Sequence, residues 1–150
     1  GWIARGRRVT LLLGSPAGPL ADALPAGLEV IALGDARYRA LLRAAPGVVR
    51  ERSPSVIFCP GNHYSSIAAA VRARLGRRSP PIVGKVSNAL ARADMNPIVR
   101  AGYAAWLRLH PSFLDEVVAM TPAMAAEAAA AMRLPIDRVH VIANPIAVPA

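Results

Sequence analysis

Short, unbroken apolar runs recur along the chain, and stretches with helical spacing separate several of them. The runs cover residues 9–13, 28–33, 56–59, 82–86, 117–120 and 139–143. They are largely continuous rather than two-periodic, so each reads as a strand covered on both faces rather than one facing water. Helices are predicted at 36–52, 63–76, about 94–109 and 122–134. Strand, helix, strand repetition implies right-handed crossovers. The predicted fold is therefore α/β: a Rossmann-like, doubly wound parallel sheet with helices on both faces. There is no internal repeat.

Local signals sharpen these boundaries. Thr121 followed by Pro122 is an N-cap with a pre-set φ behind it. Asn62 after Gly61 offers a cap for the helix over 63–76, and Asp94 offers one for the helix that Met95 and Ile98 begin. Residues 15–27, rich in proline and glycine, read as a loop, and 77–81 as a turn. At the start, Trp2, Ile3 and Ala4 before Arg5 and Gly6 look like the last turn of a helix stopped by glycine. That turn reads as the tail of an element beginning upstream.

Composition narrows the class. The chain has 150 residues, of which 54% are hydrophobic, so it buries enough surface to offset its ordering entropy and is not disordered. One domain is the natural expectation at this length. The longest apolar stretch, 117–132, is interrupted by Pro122 and Glu127 and is mostly alanine, too weak to span a bilayer. Cys59 stands alone, which removes internal disulfides and cysteine–zinc clusters and points to a reducing compartment.

The formal charge is +9, and Lys85 is the only lysine. Arginine with abundant alanine, glycine and proline is what a GC-rich coding sequence yields, so part of the excess is compositional. No run of four basic residues occurs and aromatic residues are few, which argues against nucleic acid as a partner. An anionic membrane surface or a phosphate-rich ligand fits better. Arg92, Arg100 and Arg108 lie near Ile98, Trp106, Leu109 and Phe113, and helical spacing lets Arg100 and Arg108 flank an apolar face carrying Trp106. The competing expectation is a core-packed helix with solvated arginines.

In open parallel sheets, ligands bind beyond the carboxyl ends of the strands. Two loops there carry polar side chains. One runs from Pro60 through Gly61, Asn62, His63 and Tyr64 to Ser65 and Ser66, where a strand turns into a helix whose free N–H groups face a hydroxyl or anion. The other holds Ser87 and Asn88, after the strand containing Lys85. His63 is a candidate base or hydrogen-bond donor, or a solvated first-turn residue beside a capping Asn62. Asp94 is a candidate general base or a cap. His63, His110 and His140 are too scattered for a metal site, and dinucleotide, P-loop, nucleophile-elbow and zincin motifs are absent. The residues alone thus describe an α/β domain with a ligand edge and no assigned reaction.

The stretch DEVVAMTPAMAAEAAAAMRLPIDRVHVIANPIAVPA resembles the end of the N-terminal domain of GT-B glycosyltransferases of the family 4 type. That family has a strand ending in a small hydroxyl residue, a helix, a Gly-or-Leu-Pro turn, an Arg-Val-x-Val-Ile strand and Asn-Pro or Asn-Gly. Thr121, Pro135, Arg138, Val139, Val141, Ile142, Asn144 and Pro145 stand at those positions. WIARGRRVTLLLG is similar to the end of the first helix with the second strand, and PSVIFCPGN to the mid-domain strand and its ligand-side loop. Relatives often carry His before Asn after the fifth strand; here the pair is Ser87 and Asn88.

The resemblance implies one half of a GT-B fold, with its first strand upstream of residue 1 and a gap where that strand would pair within one parallel sheet. It implies a retaining sugar transfer from a nucleotide-sugar donor to a sugar or lipid-linked acceptor, without a metal or other cofactor. The acceptor side, with Asn62, His63, Ser87 and Asn88, falls on this chain. The donor falls mainly on a C-terminal domain beyond it, so this piece alone would be inactive. The setting it implies is cytoplasmic envelope-glycan synthesis, peripheral to the inner face of the membrane. A stand-alone Rossmann-like binding or regulatory module on the same scaffold is the alternative.

Overall fold

A computed structural model describes residues 1–18, 23–90 and 94–144 of the chain. Among the described residues, six strands and four α-helices follow one another: β1 (Thr10–Leu13), β2 (Glu29–Ala32), α1 (Tyr38–Arg52), β3 (Ile57–Cys59), α2 (Ser65–Leu75), β4 (Ile82–Val86), α3 (Pro97–Leu109), β5 (Glu116–Ala119), α4 (Pro122–Met132) and β6 (Val139–Val141). The result is an α/β fold of parallel sheets flanked by helices. The described strands pair in two ladders, β1–β2 and β3–β4–β5–β6, every pairing parallel. Each ladder belongs to its own compact unit, Gly1–Glu51 and Arg52–Ala150.

In the first unit, Ile3–Arg5 forms a 3-10 turn that stops at Gly6, whose φ of 72° is the left-handed value glycine adopts without strain. The strand register runs from Thr10 opposite Glu29 to Leu13 opposite Ala32, and the Thr10 hydroxyl donates across it to Glu29 Oε2 at 2.7 Å. Asp35 accepts from both the amide and the guanidinium of Arg37, and those bonds hold its carboxyl down to about 2.

The second unit contains nearly all of the core. Its order β3–β4–β5–β6 follows the chain, so each helix returns the backbone to the neighbouring strand position. Ile82, Gly84 and Val86 of β4 are buried, and β5 buries Val117, Val118 and Ala119. Helix α4 packs on β5 and β6 and buries Ala125, Ala128 and Met132, and Val71 of α2 and Leu107 of α3 are buried as well. Burial of each large apolar side chain in this set contributes about 1.5–3 kcal/mol. Glycine at 84 leaves room for Leu114: a Cβ there would lie 2.7 Å from Leu114 Cδ1, so that side chain would have to shift.

Polar ties lock the strand starts. Asp115 accepts from the Ile82 amide at 2.7 Å and pairs with Arg72 of α2, while its own amide donates to Ile82 O at 2.8 Å. Arg138 donates to the carbonyls of Asp115 and Leu114 at 2.8 and 2.6 Å, binding the turn before β6 to the entry of β5.

Two capping expectations are corrected. The cap of α3 is Asn96, whose Oδ1 accepts from the Val99 amide at 2.9 Å, and not Asp94. Pro97 starts the helix without an N–H to satisfy and pushes Asn96 into the extended conformation a cap needs. Asn62 opens a 3-10 turn, Asn62–Tyr64, and its side chain caps neither that turn nor α2. Thr121 caps α4 as expected, accepting from the Met124 amide at 3.2 Å.

Candidate functional site

β3 and β4 run side by side, with Ile57 opposite Ile82 and Cys59 opposite Gly84, so their carboxyl ends open onto the same edge of the sheet. There the chain leaves β3 through Pro60 and Gly61 into the Asn62–Tyr64 turn, and leaves β4 through Ser87 and Asn88. Residues 60–64 together with Ser87 and Asn88 line a cavity of about 240 Å³. The two loops singled out from the sequence are thus brought together, and Asn62, His63, Ser87 and Asn88 share one concave surface.

Its walls are built locally. The buried Cys59 thiol donates to Gly61 O at 3.6 Å and braces the turn, and burial pushes that thiol's pKa up. The Tyr64 amide closes the turn on Gly61 O at 3.0 Å. The Ser65 hydroxyl, buried at the start of α2, donates to the Asn62 carbonyl at 2.8 Å. The His63 and Tyr64 rings meet edge to face at 5.1 Å. Neutral donors and acceptors on Asn62, Ser87 and Asn88, an imidazole and an aromatic edge suit hydroxyl-rich matter better than a polyanion.

The other two histidines lie elsewhere. His110 is buried, with Nδ1 3.0 Å from the Trp106 carbonyl and Nε2 without a partner, and burial lowers its pKa. His140 is an exposed β6 residue whose Nε2 is 2.8 Å from Glu116 Oε2 on the neighbouring strand. Lys85 finds a partner in Asn144, with Nζ 2.7 Å from Oδ1, a pairing 59 positions apart that no local pattern signals. Asp94 is exposed. Among the described residues, no group of three or more His, Cys, Asp or Glu side chains is placed to hold a metal ion.

A larger hollow, about 360 Å³, lies between α2 and α3. Ala69, Arg72 and Ala73 line one side, and Trp106, Leu109 and Phe113 the other. Trp106 turns inward here: its ring stacks on Phe113 at 5.6 Å and its Nε1 donates to Ser65 Oγ at 3.3 Å. The outward apolar face of α3 instead carries Ile98, 85% exposed, and Leu109, with Arg100 and Arg108 also exposed. The amphipathic helix expected from the sequence exists, but without Trp106 on its outer face. Arg92 falls outside the described residues.

With this geometry in place, comparison with known families is decisive. The model for glycosyl transferase 4-like domains matches residues 1–145. The chain belongs to that family. No curated protein sequence matches it. As a glycosyl transferase 4-like domain it has a glycosyltransferase-type function, and its partner on the acceptor side is in general terms sugar-containing. No described helix is long and apolar enough to cross a membrane.

The sequence did not point to Tyr64 as a cavity wall, nor to Ser65 and Trp106 as its support. Tyr64 lies inside a loop already singled out, so its neighbours were the available signal. The Ser65–Trp106 bond joins residues 41 positions apart and has no sequence signature.

Proposed function

We propose that this domain is the acceptor side of a glycosyltransferase that moves a sugar from a nucleotide-sugar donor to a glycan or lipid-linked acceptor, in envelope-glycan synthesis. The observation that carries this reading is the convergence of Asn62, His63, Ser87 and Asn88 on one cavity at the carboxyl ends of adjacent parallel strands. Its volume, about 240 Å³, is below the ~300–1,000 Å³ of sites that enclose a whole drug-sized ligand, and suits one sugar unit of a larger acceptor. The reacting hydroxyl is oriented there by the two asparagines, Ser87 and His63, so their contribution is positioning. In the transfer, the bond from the anomeric carbon to the donor phosphate breaks and the bond to the acceptor oxygen forms. The nucleoside diphosphate leaves with the electron pair, and the proton of the acceptor hydroxyl passes to its departing phosphate oxygen. We take the reaction to retain anomeric configuration without a metal, with the donor held by a domain outside this sequence and the isolated domain inactive.

The acceptor assignment is tested by deuterium exchange on the intact transferase with methyl glycosides of glucose, galactose and mannose. Protection confined to residues 60–66 and 87–88 supports it. Protection elsewhere, or none with any glycoside, contradicts it and favours a binding module of another kind.

The same reading places the domain on the cytoplasmic side, peripheral to the membrane. Exposed Ile98 and Leu109 share one side of α3 with Arg108 on its flank, and this supports attachment to an anionic surface. Binding to vesicles containing phosphatidylglycerol should exceed binding to neutral vesicles and fade with salt as screening shortens to ~8–10 Å. Equal binding to both, or none at low salt, contradicts this part.

A further inference from the structure

We infer that Trp106 and Ser65 are positioning residues for the cavity, acting through a two-bond relay from α3 to the backbone of Asn62. Trp106 donates its indole N–H to Ser65 Oγ at 3.3 Å, and the Ser65 hydroxyl donates its proton to Asn62 O at 2.8 Å. A hydroxyl has one proton and two lone pairs, so an incoming donor and an outgoing proton together fix its rotor. Ser65 is buried at the first position of α2, directly after the turn that forms the cavity wall. That turn and α2 both lack a side-chain cap, so the hydroxyl–carbonyl bond carries holding power that a cap supplies elsewhere.

The far end of the relay is held by ring contacts. The Trp106 ring stacks on Phe113 at 5.6 Å, meets the His110 ring at 5.4 Å, and its carbonyl is 3.0 Å from His110 Nδ1. A tryptophan buried for its area alone still needs a partner for its indole N–H. Here that partner is the Ser65 hydroxyl, which in turn donates to the Asn62 carbonyl in the cavity wall. An aliphatic side chain would fill the same space between α2 and α3 without fixing Asn62. The functional part of this inference rests on the acceptor reading of the cavity; the mechanical part does not.

The test uses the intact transferase with Trp106→Phe, which keeps an aromatic ring and removes the donor, Ser65→Ala, and the double variant. Three quantities are read: thermal midpoint, deuterium exchange of residues 60–66, and affinity for the methyl glycosides. Trp106→Phe should raise exchange of residues 60–66 and weaken glycoside binding by about threefold to tenfold, the factor carried by one neutral hydrogen bond. Exchange over β4 and β5 should be unchanged, and the double variant should be no worse than Ser65→Ala, because both act through one bond chain. Exchange unchanged in both single variants, exchange raised uniformly across the second unit, or additive effects in the double variant would each overturn the relay. If the parent binds none of the glycosides, the acceptor reading fails and the exchange result alone decides the relay.

Discussion

The cavity beyond β3 and β4 and the hollow between α2 and α3 belong to the same unit and are built in opposite ways. The hollow is larger, yet its side chains serve packing: Arg72 pairs with Asp115, Trp106 stacks on Phe113, and Ser112 Oγ donates to the Leu109 carbonyl at 2.6 Å. The cavity is smaller and is made of loop residues whose side chains surround it after the strands have ended. Size alone would choose the hollow. The carboxyl edge of the sheet chooses the cavity, since loops there are free to carry function while the strands beneath hold them still.

The comparison breaks most visibly at Phe113, buried beside Trp106 and His110. Phe113→Ala should cost about 3–5 kcal/mol in chemical denaturation, whereas Tyr64→Ala at the cavity, 39% exposed, should cost less than about 1 kcal/mol. Similar losses at the two positions would mean that the regions are not divided into core and site.

Asp115→Ala comes next. It leaves the Ile82 amide and Arg72 without their acceptor, which should cost about 1–3 kcal/mol. Sugar transfer per folded molecule should not change, because Asp115 sits at the strand starts, away from the carboxyl edge.

The smallest effect separates the histidines by pH. Burial lowers the pKa of His110, so its folded value lies below an unfolded value of about 6.5. The unfolded chain then binds the proton first as pH falls. Stability from this group is complete above about pH 6.5 and declines below it. His110→Phe should flatten that slope in denaturation measured from pH 7.5 to 5. An unchanged slope would show that His110 is not the group responsible.

Much of this organisation was legible in the chain. Residues 82–86 were read as a strand with the bounds the structure gives, because a buried parallel strand is a plain apolar run between turn signals. The carboxyl-edge loops followed from the positions of the strands along the chain, which is why Asn62, His63, Ser87 and Asn88 stand as candidates without any catalytic motif. Less legible were features set by distant partners. The sequence placed Trp106 on an apolar face with flanking arginines, but only α2 and Phe113 determine that its ring turns inward. Asp94 and Asn96 are both acceptable caps two positions apart, and Pro97 decides between them through backbone sterics.

The central claim is that the cavity orients the acceptor, and rates of sugar transfer by His63→Ala and Asn88→Ala in the intact transferase test it most directly, with donor affinity measured in parallel. Each variant should transfer sugar more than about tenfold more slowly, corresponding to about 1.4 kcal/mol of transition-state stabilisation, with nucleotide-sugar affinity nearly unchanged. Transfer at the parental rate in both, or loss of donor affinity in place of transfer, would contradict the assignment of the acceptor to this cavity.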